Sequence, residues 1–168
     1  MLIEVTKDSI IQDPDFLATK CLKMAPADIE RETELMKTAF EWVSDPKNGA
    51  LGLASTQVGS KWRWFVMKNP NHKRAWLNKE AGGPVVIVIN PKYRGNGTKR
   101  TCEESCFSIP GKAFKIHRTS SLIATFLKLN PETGETKQIT TTYTGSSAQI
   151  FQHEFDHLRG LTIADRGE

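Results

Sequence analysis

The sequence predicts an α+β domain in which mainly antiparallel sheets pack around a central helix. Three observations point there. A long amphipathic helix comes early, several separate strand-like runs follow it, and a second amphipathic helix comes late. Helices and strands grouped in this way, rather than alternating strictly, are the pattern of helices set against an antiparallel sheet. The length of 168 residues is that of one domain, so residues 1–168 are expected to form a single unit. A hydrophobic content of 38% with 25% charged residues is enough for one buried core.

Taken in order, Asp13-Pro14 opens a short helix or turn. Pro26 to Val43 is the first long helix. Pro26 suits its first turn, Asp28 and Glu30 suit the positive end of its dipole, and Ile29, Thr33, Met36, Phe40 and Val43 make one apolar stripe at spacings of four and three. Ser44-Asp45-Pro46-Lys47-Asn48-Gly49 breaks it. Ala50 to Gln57 is too rich in small residues for a routine strand. Trp62 to Lys68 and Val85 to Asn90 have strand composition. Ile109-Pro110-Gly111 is expected to end an extended segment that contains Cys106. Ser121 to Leu129 and Gln138 to Tyr143 form a hairpin joined by Asn130-Pro131-Glu132-Thr133-Gly134. Gly145 to Arg159 is the second helix, with Phe151, Phe155 and Leu158 facing the core and Gly160 at the C-terminal cap.

Composition excludes several classes. The net charge is +4, but the basic residues are spread along the chain, with only short groupings near Lys61 to Lys73 and Lys99-Arg100 and no aromatic-basic repeat. This reads as a solvated surface and not a nucleic-acid footprint. Three cysteines, an odd and low count, argue against a disulfide framework and for a reducing compartment. The first ten residues contain Glu4, Lys7 and Asp8 and no apolar run, unlike a secretory signal. The longest apolar run, Val85 to Ile89, falls far short of the roughly 20 residues that a membrane helix needs. A cytosolic protein without membrane or direct nucleic-acid partners is expected.

The chemistry concentrates in the second helix. His153 and His157 are four apart, which places both imidazoles on one face, one turn apart, within reach of a single metal ion. Glu154 is offset around the helix and can address a water on that metal. A catalytic site needs three protein ligands and one open position. Cys102, Cys106, His72, His117 and several carboxylates are candidates for the third ligand, and Cys106, within Glu104-Ser105-Cys106-Phe107-Ser108, stands out. A closed site using Cys102 as well is disfavoured. If residues 102 to 106 are extended, their Cα atoms lie about 13 Å apart, whereas two thiolates on one zinc need sulfurs within about 4 Å.

With these residues in place, the chain resembles the peptide deformylase family in three ordered motifs. Ala50-Leu51-Gly52-Leu53-Ala54-Ser55-Thr56-Gln57 is similar to the family's Gly-x-Gly-x-Ala-Ala-x-Gln, Glu104 to Ser108 to its Glu-Gly-Cys-Leu-Ser, and Gln152 to Gly160 to its Gln-His-Glu-x-Asp-His-Leu-x-Gly. Ala50, Ser55, Ser105 and Phe107 depart from the pattern, and none of these changes removes a catalytic side chain. Thr144 to Ile150 is more polar than is usual in relatives. The chain stops soon after His157 and so looks like the short deformylases, including those encoded by phages; docking on the ribosome through a C-terminal helix is therefore not expected.

The resemblance implies a metal-dependent hydrolase that removes the N-formyl group from the formyl-methionine of newly made polypeptides and releases formate, in the cytoplasm of a bacterium or of its phage-infected host. It implies Cys106, His153 and His157 as metal ligands, Glu154 as general acid and base, and the Gln57 amide and Phe107 backbone N–H as oxyanion donors. Ala50, Leu51, Gly52, Glu104, Ser105 and Ile150 are implied as substrate-binding. Ligand types alone suggest Zn²⁺; the resemblance implies Fe²⁺ as the physiological ion, with Zn²⁺, Ni²⁺ or Co²⁺ able to substitute. The chief rival is a zinc-dependent peptidase with the same His-Glu-x-x-His core. Its third ligand normally follows the motif, where only Asp165 and Glu168 remain. A metal-bound fold without activity would lack a base or close the fourth position, but Glu154 and Gln57 are both present.

Overall fold

The computed structural model describes residues 4–71 and 83–167. Among them are α1 (Pro14–Leu17), α2 (Pro26–Ser44), β1 (Gly52–Ala54), β2 (Trp64–Lys68), β3 (Val85–Gly95), β4 (Lys99–Cys106), β5 (Ile109–Thr119), β6 (Ser121–Leu129), β7 (Thr136–Thr144), α3 (Gly145–Leu158) and α4 (Ile163–Arg166). A five-stranded sheet runs in the order β1-β2-β3-β6-β7, and β4-β5 form a separate two-stranded sheet. Every strand pair is antiparallel, as expected for the α+β class.

The larger sheet is covered on both faces, and the period of two along its strands decides which helix lies where. Trp64, Val66, Ile87 and Ile89 turn to one side and pack with Ile29, Met36 and Val43 of α2. Phe65, Met67, Val86 and Val88 turn to the other and pack with Phe151, Phe155 and Leu158 of α3. Phe151 is ringed by Phe65, Tyr93 and Tyr143, with centroids 5.2 to 5.7 Å away. This aromatic packing fixes the axial position and rotation of α3, and therefore which of its faces looks away from the sheet. The stripe expected on α2 is present but wider, because Ala39 and Trp42 are buried beside it while Thr33 and Phe40 are half-buried.

β2 starts two residues later than expected, at Trp64, β7 extends to Thr136–Thr144, and two boundaries differ more. β3 does not end at Asn90 but continues to Gly95 across a register shift between Ile89 and Lys92. Pro91 has no N–H to give to a ladder, and a bulge is where a sheet tolerates that. Asn90 takes a positive φ of 51° there, and its side-chain amide makes both hydrogen bonds with the Met24 backbone, at 2.8 and 2.9 Å. Ile109-Pro110-Gly111 opens a strand instead of ending one. The chain turns at Phe107-Ser108, and Ile109 already pairs with Cys106. The charged run Lys99 to Glu104 conceals this hairpin from a hydrophobic pattern.

Helix α3 ends as expected, with Gly160 in the left-handed region at φ 77°. A side chain there is also barred by space, since a Cβ would collide with the carbonyl oxygen of Ala18.

Candidate metal centre and active site

Three elements meet at the outer face of α3. The turn after β1 carries Gln57, the β4-β5 hairpin carries Cys106 at its tip, and α3 itself brings His153, Glu154 and His157. The sulfur of Cys106 and one nitrogen of each histidine lie within 4.8 Å of one another. Cys106 Sγ is 3.6 Å from His157 Nε2. Cys102 is not in this group. It sits in extended β4 opposite Ile116, as the argument against a closed four-ligand site requires. His117 is also elsewhere, with Nδ1 3.2 Å from the Thr101 hydroxyl, and His72 lies outside the described residues.

Charge is arranged for a cation. Burial alone would lower the pKa of His153, but its bonds with Cys106 and Glu104 and the charge of Glu154 outweigh it and raise it to about 10. The surroundings thus favour positive charge among these atoms, which a metal ion supplies in place of a proton. Burial, with the charges of His153 and Arg118, holds His157 down to about 3, leaving its ring neutral as a ligand must be. The sulfur–nitrogen–nitrogen donor set suits a divalent transition ion. The residues present therefore fit a metal.

Glu104 braces the first histidine. Its carboxylate accepts the Nδ1 proton of His153 at 2.9 Å and two hydrogen bonds from Arg118 at 2.8 and 3.0 Å. Burial alone would raise its pKa, yet Arg118 and His153 hold it at about 2, so it stays ionised. Its side chain is engaged by Arg118 and His153 and also borders the cleft.

The catalytic candidates stand beside the three ligand atoms. Gln57 accepts the Ala54 N–H with its Oε1 at 2.9 Å, which aims its NH₂ group at Ser108 Oγ, 3.1 Å away, and Cys106 Sγ, 3.5 Å away. Glu154 is buried, and its Oε2 has no hydrogen-bond partner among the described residues. Burial pushes this carboxyl up to about 7, against the opposing pull of His153. Gly52 leaves the room it occupies, since a Cβ there would stand 2.6 Å from Glu154 Oε1.

A cleft of about 420 Å³ opens onto these groups. Leu51, Gly52, Ser105, Phe107 and Ile150 line it, as does Gln149, which the sequence reading had not singled out. Ala50 does not; it is wholly buried in the core with α2, so its side chain is unavailable to substrate. Also unforeseen were Arg118 and its second partner Asp156, 2.6 Å away.

This constellation can be compared with known proteins. The family model described as polypeptide deformylase matches residues 7–168. A peptide deformylase of Desulforudis audaxviator is 35% identical over 121 residues, covering 71% of this chain and 68% of that protein. The crystal structure of peptide deformylase from Thermotoga maritima superposes with a TM-score of 0.72 at 29% identity, covering 95% of both chains. That of a probable peptide deformylase from synechococcus phage S-SSM7 does so at 0.70 and 25% identity, covering 94% of this chain and 97% of the other. A match over nearly the whole length, with the three-ligand cluster at its centre, has one reading: the chain belongs to the polypeptide deformylase family.

Proposed function

We propose that this enzyme hydrolyses the formamide C–N bond of N-formyl-methionyl peptides, releasing formate and a free amine, with Cys106, His153 and His157 holding one divalent metal ion. The observation that supports the reading is that Glu154 and Gln57 line one open cleft together with Cys106 and His153 of the three-residue cluster. When bound, such an ion lowers the pKa of water enough to give a nucleophile near neutral pH.

The chain supplies the rest. Glu154 takes the proton of the attacking water on a carboxylate oxygen and returns it to the nitrogen as the C–N bond breaks. Its burial suits both duties, because a pKa near 7 lets it hold and release a proton at working pH. Negative charge developing on the formyl oxygen is met by the Gln57 NH₂ and the Phe107 backbone N–H; one such donor contributes about 3 kcal/mol to the transition state. Leu51, Gly52, Ser105 and Ile150 border the space for the first side chain of the peptide. Fe²⁺ is the ion proposed in the cell, with Zn²⁺, Ni²⁺ or Co²⁺ substituting, and the cytoplasm is the proposed place of action. No helix among the described residues is long and apolar enough to cross a membrane.

Formate release from formyl-Met peptides, measured alongside acetylated and unblocked peptides and with metal analysis of the same sample, tests this. Turnover restricted to the formylated peptide is expected, together with near-stoichiometric metal that Cys106→Ala loses and Cys102→Ala keeps. Cleavage of internal peptide bonds in place of formate release would favour the peptidase, and equal metal loss in both variants would revive the closed site.

A further inference from the structure

The brace behind His153 does not end at Arg118. Arg118, with 3% side-chain exposure, binds Glu104 on one side and places Nη1 2.6 Å from Asp156 Oδ2 on the other. Asp156 lies between the two histidines on α3. The same Oδ2 is 2.7 Å from Nε of Arg166, in α4. Arg159, more exposed and over the Phe155 ring, meets the other oxygen at 3.2 Å. Helix α4 is held in place independently of its ion pair. Thr162 caps it, Ile163 is buried, and Gly167 lies so close to β5 that a Cβ would stand 2.5 Å from the Phe114 side chain.

We propose that Arg166 is a positioning residue for the metal centre, acting through Asp156, Arg118 and Glu104 on the ring of His153. The inference rests on Cys106, His153 and His157 being the ligand set. Charge explains the need for a further cation. Glu104 and Asp156 are two buried anions, and among the described residues Arg118 is the buried cation that pairs with both. Without Arg166, Asp156 oxygen Oδ2 has Arg118 alone, which is drawn toward it and away from Glu104. A less firmly held Glu104 orients the imidazole less firmly. Outer-shell partners that bond a ligand directly contribute about 10- to 100-fold to metal affinity. Arg166 borders neither the cleft nor the ligand atoms.

The test measures Zn²⁺ affinity by chelator competition for the metal-stripped wild type, Arg166→Ala and Arg166→Lys, with melting of each metal-free protein and steady-state kinetics of each loaded one. Arg31→Ala, which removes an exposed pair on α2, is the control. Arg166→Ala is expected to weaken Zn²⁺ binding several-fold, short of the about 10- to 100-fold that direct outer-shell partners contribute, with KM unchanged. Arg166→Lys should recover part of the loss, keeping the charge but not the planar Nε contact. The control should match wild type. Wild-type affinity in Arg166→Ala overturns the proposal, whether or not the metal-free protein melts lower. A wild type that binds no Zn²⁺ overturns the ligand set and the proposal together. Intact Zn²⁺ binding without formate release leaves the proposal standing and removes the deformylase reading.

Discussion

One turn apart on the same helix, the two histidines that could hold a metal are held by different means. His153 gives its Nδ1 proton to Glu104 at 2.9 Å, which fixes both tautomer and ring plane and leaves the other nitrogen for the Cys106-His157 cluster. His157 is 1% exposed, and its Nδ1 has no hydrogen-bond partner among the described residues; packing and the Cys106 contact at Nε2 hold it. The asymmetry extends outward. On the side of His153, charge is paired from Glu104 through Arg118 to Asp156 and Arg166. On the side of the cleft, Glu154 Oε2 is buried and unpartnered among the described residues. The helix thus has a braced flank and a reactive flank. On the proposed function, rigid polar pairing would serve retention of the metal, and the unpaired carboxylate would stand ready for a proton. If that division is right, substitutions on the two flanks should separate metal affinity from turnover.

The largest effect is expected on the reactive flank. Glu154→Ala should bind metal as the wild type does and lose about 10²- to 10⁴-fold in kcat, the usual worth of a positioned general acid and base. Paired kcat and metal measurements check it. A variant that also lost its metal would place Glu154 among the ligands and dissolve the distinction between flanks. Gly52→Ala comes next. The added methyl would meet Glu154 Oε1 at 2.6 Å, so the carboxylate must swing aside. A displacement of about 1 Å at a reacting group costs on the order of 10²-fold in rate. Metal content should be unchanged, and a kcat equal to that of the wild type would show that Glu154 need not stay where it is.

The two flanks were also unequally legible in the sequence. His153, Glu154 and His157 are local: their spacing on one helix is enough to bring them together. Cys106 and Gln57 were reachable because short motifs surround them. The brace was not, because only tertiary pairing assembles it, from β4, β5, α3 and α4. Arg118 stands among Lys115, His117 and Thr119 and reads as surface. The signal that could have found it is the alternation Phe114, Ile116, Arg118, which puts an arginine on the inward face of a strand; a buried arginine implies a buried carboxylate partner. Glu104 was noticed beside the cleft, which it borders, but its bonds to Arg118 and His153 were not. The core helices were plain from their 3.6-residue period, whereas the β4-β5 hairpin is charged on its exposed positions and carries little hydrophobic pattern.

The smallest and most discriminating effect of the three is expected at Glu104. Glu104→Gln keeps the size and one acceptor oxygen, so His153 and Arg118 still find a partner, but the anion is gone. A neutral amide polarises the His153 ring less and makes it a poorer donor to a cation, and the site loses one negative charge close to the metal. Loss of metal affinity toward the low end of the 10- to 100-fold range, about tenfold, is expected, because orientation survives while charge does not. Glu154, Gln57 and the cleft are untouched, so kcat per bound metal should remain that of the wild type. Glu104→Gln and Glu154→Ala should then move opposite quantities, one affinity without turnover and the other turnover without affinity. If Glu104→Gln instead lowered kcat in fully loaded enzyme while affinity held, the carboxylate would belong to the reaction, and the braced flank would be part of the chemistry.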